Sequence, residues 1–234
     1  FLCASYYRPH FPLTAPERYI RKYKNLRIPL PPQPQDYPHS LHPHDRFIVD
    51  DFDLTRFTED EIRHAHASYY AALDYVDDRI AELLQGLRRA GCLDNTYIIY
   101  TSDHGELAGE HGLWWKRSYY EASARVPLII SGPDIQTHSI DNPVELVDLF
   151  PTICDFVGID SPSGIDGESL KPLLEGKPEH RKKQVAHSML LGGHQKTRFR
   201  MVRDNRYKYI DFPDSRSRLF DLEVDRNEVH DTVD

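Results

Sequence analysis

The stretch Thr101-Ser102-Asp103-His104-Gly105-Glu106-Leu107-Ala108-Gly109-Glu110-His111-Gly112-Leu113-Trp114-Trp115-Lys116 stands out for the side chains it gathers. Asp103 offers a hard oxygen and His104 an imidazole nitrogen, a pairing that holds divalent cations. Gly105 lets the backbone turn, so that neighbouring side chains, which diverge on a strand, converge. Two ligands do not complete a site, because Ca²⁺ takes about six to eight donors and Mg²⁺ about six; the others have to come from elsewhere. Lys116 closes the stretch beyond three glycines and two tryptophans. Turn chemistry alone also accounts for Asp103 and His104, and a lysine is usually solvated, so the residue types leave a structural and a chemical reading open. Glu106, Glu110 and His111 read as groups that brace the loop. Trp114 and Trp115 suit packing better than substrate contact, given the area they bury.

These residues need elements to position them. Residues 96–101 form a continuous β-branched and aromatic run, which predicts a strand buried on both faces, as in a parallel sheet, and residues 126–131, closed by Gly132-Pro133, predict a second. α/β sheets place ligands beyond the carboxyl ends of such strands, where Asp103 falls. Thr58-Glu59-Asp60-Glu61 is a capping box opening a helix that runs to near Gly91, and Ile62, His66, Tyr69, Leu73, Val76, Ile80, Leu83 and Leu87 line one face of it, to be laid against a sheet. A short helix begins at Pro16, and residues 144–157 predict another amphipathic helix.

Residues 1–7 read as a strand, and the opening without an initiator Met or leader pattern points to a polypeptide that began earlier. His10 follows on a loop between Pro9 and Pro12, which forbid further ladder pairing. Residues 27–44, rich in proline, read as an extended surface excursion. Past residue 180 the pattern turns to short strands, residues 184–189, 199–203, 207–212 and 219–222, with Asp204-Asn205-Arg206 as a hairpin turn. Residues 191–198 read as a loop.

Composition narrows the function classes. Hydrophobic residues at 39%, with 14 Tyr and 10 Phe, exclude a disordered chain. A net charge of −8 excludes the cationic field that nucleic acid requires. No apolar run approaches the roughly 20 residues of a membrane span. Cys3, Cys92 and Cys154 form no C-x-x-C pair and are odd in number, so they read as buried thiols, and the location leans cytoplasmic.

Asp103-His104-Gly105, then Gly109-Glu110-His111-Gly112-Leu113, Lys116 and Ala124-Arg125-Val126-Pro127-Leu128-Ile129 resemble the downstream segment of the type I, formylglycine-dependent sulfatases of the alkaline phosphatase superfamily. Three further segments agree in order: Tyr7-Arg8-Pro9-His10-Phe11-Pro12, the helix around Tyr69 to Asp78, and the tail with Tyr207-Lys208-Tyr209 and Leu219-Phe220-Asp221-Leu222. The subgroup most resembled is that of choline-sulfatase-like bacterial enzymes. The implied fold is α/β: part of a sulfatase/alkaline-phosphatase-like mixed sheet flanked by helices, with residues 1–180 the C-terminal part of the catalytic domain and residues 181–234 a small antiparallel β subdomain.

The resemblance implies a sulfuric ester hydrolase in which Asp103 and His104 are metal ligands and His10 and Lys116 contact the sulfate ester. The metal would be Ca²⁺ by donor type, with Mg²⁺ or Mn²⁺ as alternatives, and the partner a small-molecule or carbohydrate sulfate ester, with a homo-oligomer compatible. The family's Cys/Ser-x-Pro-x-Arg nucleophile motif and its upstream aspartate pair are absent: Cys3, Cys92 and Cys154 are followed by Ala4, Leu93 and Asp155. The formylglycine is therefore expected on an N-terminal part of the same enzyme, and this segment alone is expected to be inactive. A phosphonate monoester or phosphodiester hydrolase of the same superfamily and a non-catalytic binding module are the competing readings.

Overall fold

Thr58 opens the dominant helix as the capping box requires: its side chain accepts from the Glu61 N–H, and the Glu61 carboxylate accepts from the Thr58 N–H at 2.8 Å. The structure, a computed structural model, describes residues 1–191 and 197–233. In chain order its elements are α1 (Glu17–Tyr23), α2 (Pro43–Asp51), α3 (Glu59–Arg89), β1 (Ile98–Thr101), β2 (Leu107–Ala108), β3 (Trp114–Trp115), α4 (Glu121–Ala124), β4 (Leu128–Ser131), α5 (Leu149–Val157), α6 (Lys171–Leu174), β5 (Ala186–Leu190), β6 (Phe199–Arg203), β7 (Tyr207–Asp211) and β8 (Arg218–Asp221). They fall into two compact units: Phe1–Thr96 with Gly105–Lys116, and Tyr97–His104 with Arg117–Asp234.

In the first unit α3 packs chiefly against α1 and touches strand β2. Ala71 and Ala72 are fully buried. Tyr19 of α1 donates to the Asp78 carboxylate at 2.6 Å and meets Tyr75 edge-on, and Lys22 pairs with Asp74. The buried stripe therefore runs through His66, Ala67, Ala71, Ala72 and Val76, while Leu73, expected inside, is exposed.

Residues 27–44 are not wholly a surface excursion. Ile28 and Pro31 are buried, and a helix unforeseen in the sequence, α2, starts with Pro43 at its first position and buries His44, Asp45, Ile48 and Val49. Residues 1–7 carry no strand and are exposed, although Tyr6 and Tyr7 make hydroxyl bonds to the Arg79 and Phe11 carbonyls; an apolar run becomes a strand only beside a hydrogen-bonding neighbour, and no described strand pairs with it.

In the second unit β1 and β4 pair antiparallel, Ile98 opposite Ser131, which corrects the parallel expectation. A continuous apolar run reports burial and not strand direction. Nor are both faces covered: Ile129 stays 61% exposed, while Tyr97 beside the ribbon stacks on Phe156 of α5 at 4.1 Å.

The meander β5-β6-β7-β8 agrees with the expected antiparallel strands. The Asp204 carboxylate accepts from the N–H groups of Arg206 and Tyr207, closing the expected turn. The residues 192–196 of the expected loop 191–198 lie outside the described residues. Alternation puts Phe199, Met201, Lys208, Ile210, Arg218 and Phe220 on the inner face. Two of these are cations, and both are answered. Lys208 donates to the Tyr119 carbonyl at 2.8 Å and pairs with Glu121 and Glu228; Arg218 donates to the hydroxyls of Tyr119 and Tyr120, 2.7 Å each. Burial pushes the Glu228 carboxyl up despite Lys208, whereas at Glu121 burial is outweighed by Lys208 and the group is lowered.

Ahead of α5, the buried Asp148 accepts from the N–H groups of Glu145 and Glu168 at 2.9 Å each and pairs with the buried Arg181 at 2.7 Å. Cys154 is buried, but Cys3 and Cys92 are exposed, contrary to expectation: one lies in the unpaired first segment and the other just past the end of α3. None of the described helices is long and apolar enough to cross a membrane.

Candidate active site

The first unit holds His10 and Lys116. The His10 loop is stapled by Arg8, whose guanidinium donates to the carbonyls of His10 at 3.2 Å and Pro12 at 2.8 Å and to the Thr14 hydroxyl at 2.6 Å. The Tyr7 ring lies 4.9 Å from the imidazole, and its hydroxyl donates to the Phe11 carbonyl. That same carbonyl lies 2.7 Å from His10 Nδ1. A carbonyl only accepts, so Nδ1 carries a proton there and, in the neutral ring, Nε2 presents its lone pair.

Lys116 arrives from the other direction, at the end of the hairpin β2–β3, in which Leu107 opposes Trp115 and Ala108 opposes Trp114. Leu107 and Leu113 are fully buried. His66 of α3 contacts the Ala108 carbonyl through Nε2, Gln33 donates to the Gly109 carbonyl at 2.6 Å, and the Glu110 carboxylate accepts from the Ala108 N–H at 2.6 Å. Glu110 thus braces the loop as its sequence position suggests, and His111 is buried with its N–H directed to the Pro32 carbonyl. On either side of Lys116 the backbone is left-handed, φ 71° at Trp115 and 72° at Arg117, a conformation that persists only where packing over-determines it. The outcome is a contact across the chain: Lys116 Nζ lies 2.7 Å from His10 Nε2.

Gly112 sets the hairpin's turn, with φ 73°, and a Cβ there would clash with the phenol end of Tyr37, against its hydroxyl oxygen and two ring carbons. Gly112→Ala is expected to cost about 1–3 kcal/mol through strain and clash. A thermal melt several degrees lower than the parent's checks this, and an unchanged melt removes the account.

The second unit holds Asp103 and His104, just past β1. The Ser102 hydroxyl donates to the His104 carbonyl at 2.7 Å, and His104 Nε2 lies 3.5 Å from Asp103 Oδ2. The pair sets one oxygen and one nitrogen donor 3.5 Å apart, with the Asp103 side chain 86% exposed, donor types that suit a divalent cation. Among the described residues no group of three or more His, Cys, Asp or Glu completes such a site. The bracing roles of Gln33 and His66 have no local signature, because their partners lie 76 and 42 positions away on another segment of the chain.

A family model described as Sulfatase matches residues 1–159. This chain belongs to the sulfatase family. A second model, N-sulphoglucosamine sulphohydrolase, C-terminal, matches residues 109–234 of this sulfatase-family chain. The chain is 40% identical to the arylsulfatase K of Bos taurus over 200 residues, 81% of this chain and 37% of that protein. It is 32% identical to the choline-sulfatase of Rhizobium meliloti over 240 residues, 97% of this chain and 45% of that protein. Among solved structures, the phosphonate monoester hydrolase SpPMH from Silicibacter pomeroyi superposes with a TM-score of 0.81 at 30% identity, covering 92% of this chain and 48% of that one. The chain thus spans less than half the length of each of these relatives, and it aligns with the sulfatase fold expected from its motifs.

Proposed function

We propose that this chain supplies the ester-contacting pair and two metal ligands of a sulfuric ester hydrolase, with the nucleophile on a preceding segment of the same polypeptide. The observation that carries the reading is the 2.7 Å approach of Lys116 Nζ to His10 Nε2 in a chain of the sulfatase family. Cleaving a sulfate ester builds negative charge on the sulfuryl oxygens and on the departing alkoxide. The Lys116 ammonium has three N–H donors; one is spent on His10, and two remain for ester oxygens. The N–N axis of the pair holds one proton beside the leaving oxygen, where general acid catalysis needs it.

Asp103 and His104 are proposed to hold the metal, Ca²⁺ by donor type with Mg²⁺ or Mn²⁺ as alternatives. When bound, such an ion stabilises charge on the sulfuryl oxygens as a Lewis acid. The nucleophile proposed for the preceding segment is a formylglycine, and the substrate a small-molecule or carbohydrate sulfate ester. We assign residues 1–180 to the catalytic domain and residues 181–234 to a terminal β subdomain.

The likeness to a phosphonate monoester hydrolase favours a second reading, hydrolysis of phosphonate or phosphodiester bonds. The two are separated by turnover of p-nitrophenyl sulfate, p-nitrophenyl phosphate and a p-nitrophenyl phosphonate by the full-length enzyme, the polypeptide carrying this chain together with the nucleophile. The sulfate is expected to react fastest. A faster phosphonate overturns the first reading and installs the second.

A further inference from the structure

Both members of the His10–Lys116 pair have an aromatic chain neighbour, and those neighbours touch. Phe11 follows His10, Trp115 precedes Lys116, and their rings meet edge-on at 5.9 Å. A third ring, Phe52, also meets Trp115 edge-on, at 4.8 Å and 71°. Phe52 is the residue that ends α2, its N–H bonded to the Ile48 carbonyl, and α2 is anchored by the buried His44, Asp45, Ile48 and Val49. The ring therefore stands on a fixed base while being 40% exposed itself.

Trp115 needs such support. Its φ of 71° is a strained setting for an aromatic residue, held by packing and lost when the packing is removed. Without Phe52 the Trp115 indole keeps, among the described residues, only Phe11 as a ring partner, and the left-handed backbone is then held by Phe11 and by the pairing with Leu107 alone, so that Lys116, the next residue, is less firmly placed. Edge-on aromatic pairs have directional preference, so a ring in this place restrains position as well as excluding water.

We propose that Phe52 is a positioning residue, acting through Trp115 to hold Lys116 against His10. The proposal rests on the sulfatase reading of that pair. If the pair delivers the proton to the leaving oxygen, its misplacement penalises an ester whose leaving group needs that proton and spares one whose leaving group does not.

The test uses the full-length enzyme with phenyl sulfate, a poor leaving group, and p-nitrophenyl sulfate, a good one. Phe52→Ala is expected to lower kcat about tenfold on phenyl sulfate and less than about threefold on p-nitrophenyl sulfate, since small misplacements of catalytic groups carry penalties of this order. Phe52→Tyr, which keeps the ring, restores both. Equal falls on the two esters, no fall on either, or failure of the tyrosine to restore turnover overturns the proposal. Lys116→Ala serves as the separate control. If it leaves turnover of both esters unchanged, the reading of the pair fails; if it cripples turnover while Phe52→Ala is silent, only the role of Phe52 fails.

Discussion

In the full-length enzyme Lys116→Ala is expected to lower kcat/KM on phenyl sulfate, whose leaving group needs a proton, by roughly 10²–10³-fold, the loss seen when one preorganised donor to a developing oxyanion is removed. The alanine deletes both the ammonium proposed to contact the ester and the partner of His10 Nε2 at 2.7 Å. Because the two groups hold one proton between them, the losses do not add: the double variant His10→Ala/Lys116→Ala is expected within a few-fold of the worse single variant. Steady-state kinetics on the two singles and the double decide this. A Lys116→Ala enzyme close to the parent, or a double variant at the product of the two single losses, removes the coupled role.

Asp148→Ala is expected to destabilise the protein by about 3–5 kcal/mol near neutral pH, because it strands the buried Arg181 guanidinium and two backbone N–H groups without their acceptor. Burial works against the Asp148 carboxylate, but the N–H groups of Glu168 and Glu145 and the Arg181 charge outweigh it, and the pKa lies below the usual carboxylate range. The sign follows from that direction. A carboxyl whose pKa is lowered by folding contributes stability above its unfolded value, about 3.9, and loses it as pH falls through the lower folded value. The gap between parent and variant is therefore constant above about pH 5 and closes below about pH 4. Urea midpoints across this range check it; a gap independent of pH, or a midpoint at neutral pH less than about 1 M below the parent's, contradicts the role.

Local chemistry made much of the fold legible. The Thr58–Glu61 capping box and the acidic first turn predict the start of α3 because a cap is satisfied by residues three apart. The strand periods of β6, β7 and β8 and the Asp204 turn are similarly local, and they emerge within one or two residues of expectation. The hairpin β2–β3 was hidden because its strands are two residues each, too short to show a period. Helix α2 was hidden because the surrounding prolines mask it, although Pro43 at its first position is a start signal. Direction of pairing in β1 and β4 was illegible for a different reason: an apolar run favours a strand but does not say which neighbour it lies beside, nor, with Ile129 61% exposed, how fully it is covered.

The same division holds at the candidate site. The sequence by itself determined which donors are available, an oxygen and a nitrogen at Asp103 and His104, an imidazole at His10 and an ammonium at Lys116, and the motif order that marks the sulfatase family. It determined nothing about the distance between His10 and Lys116, which stand 106 positions apart. Only the tertiary structure decided that, through Arg8 stapling one loop, His66 and Gln33 gripping the hairpin, and the rings of Phe11, Trp115 and Phe52 packed between them. The physical reason is that residue type sets what a group can do, while proximity across a hundred residues is set by packing, which no local pattern encodes.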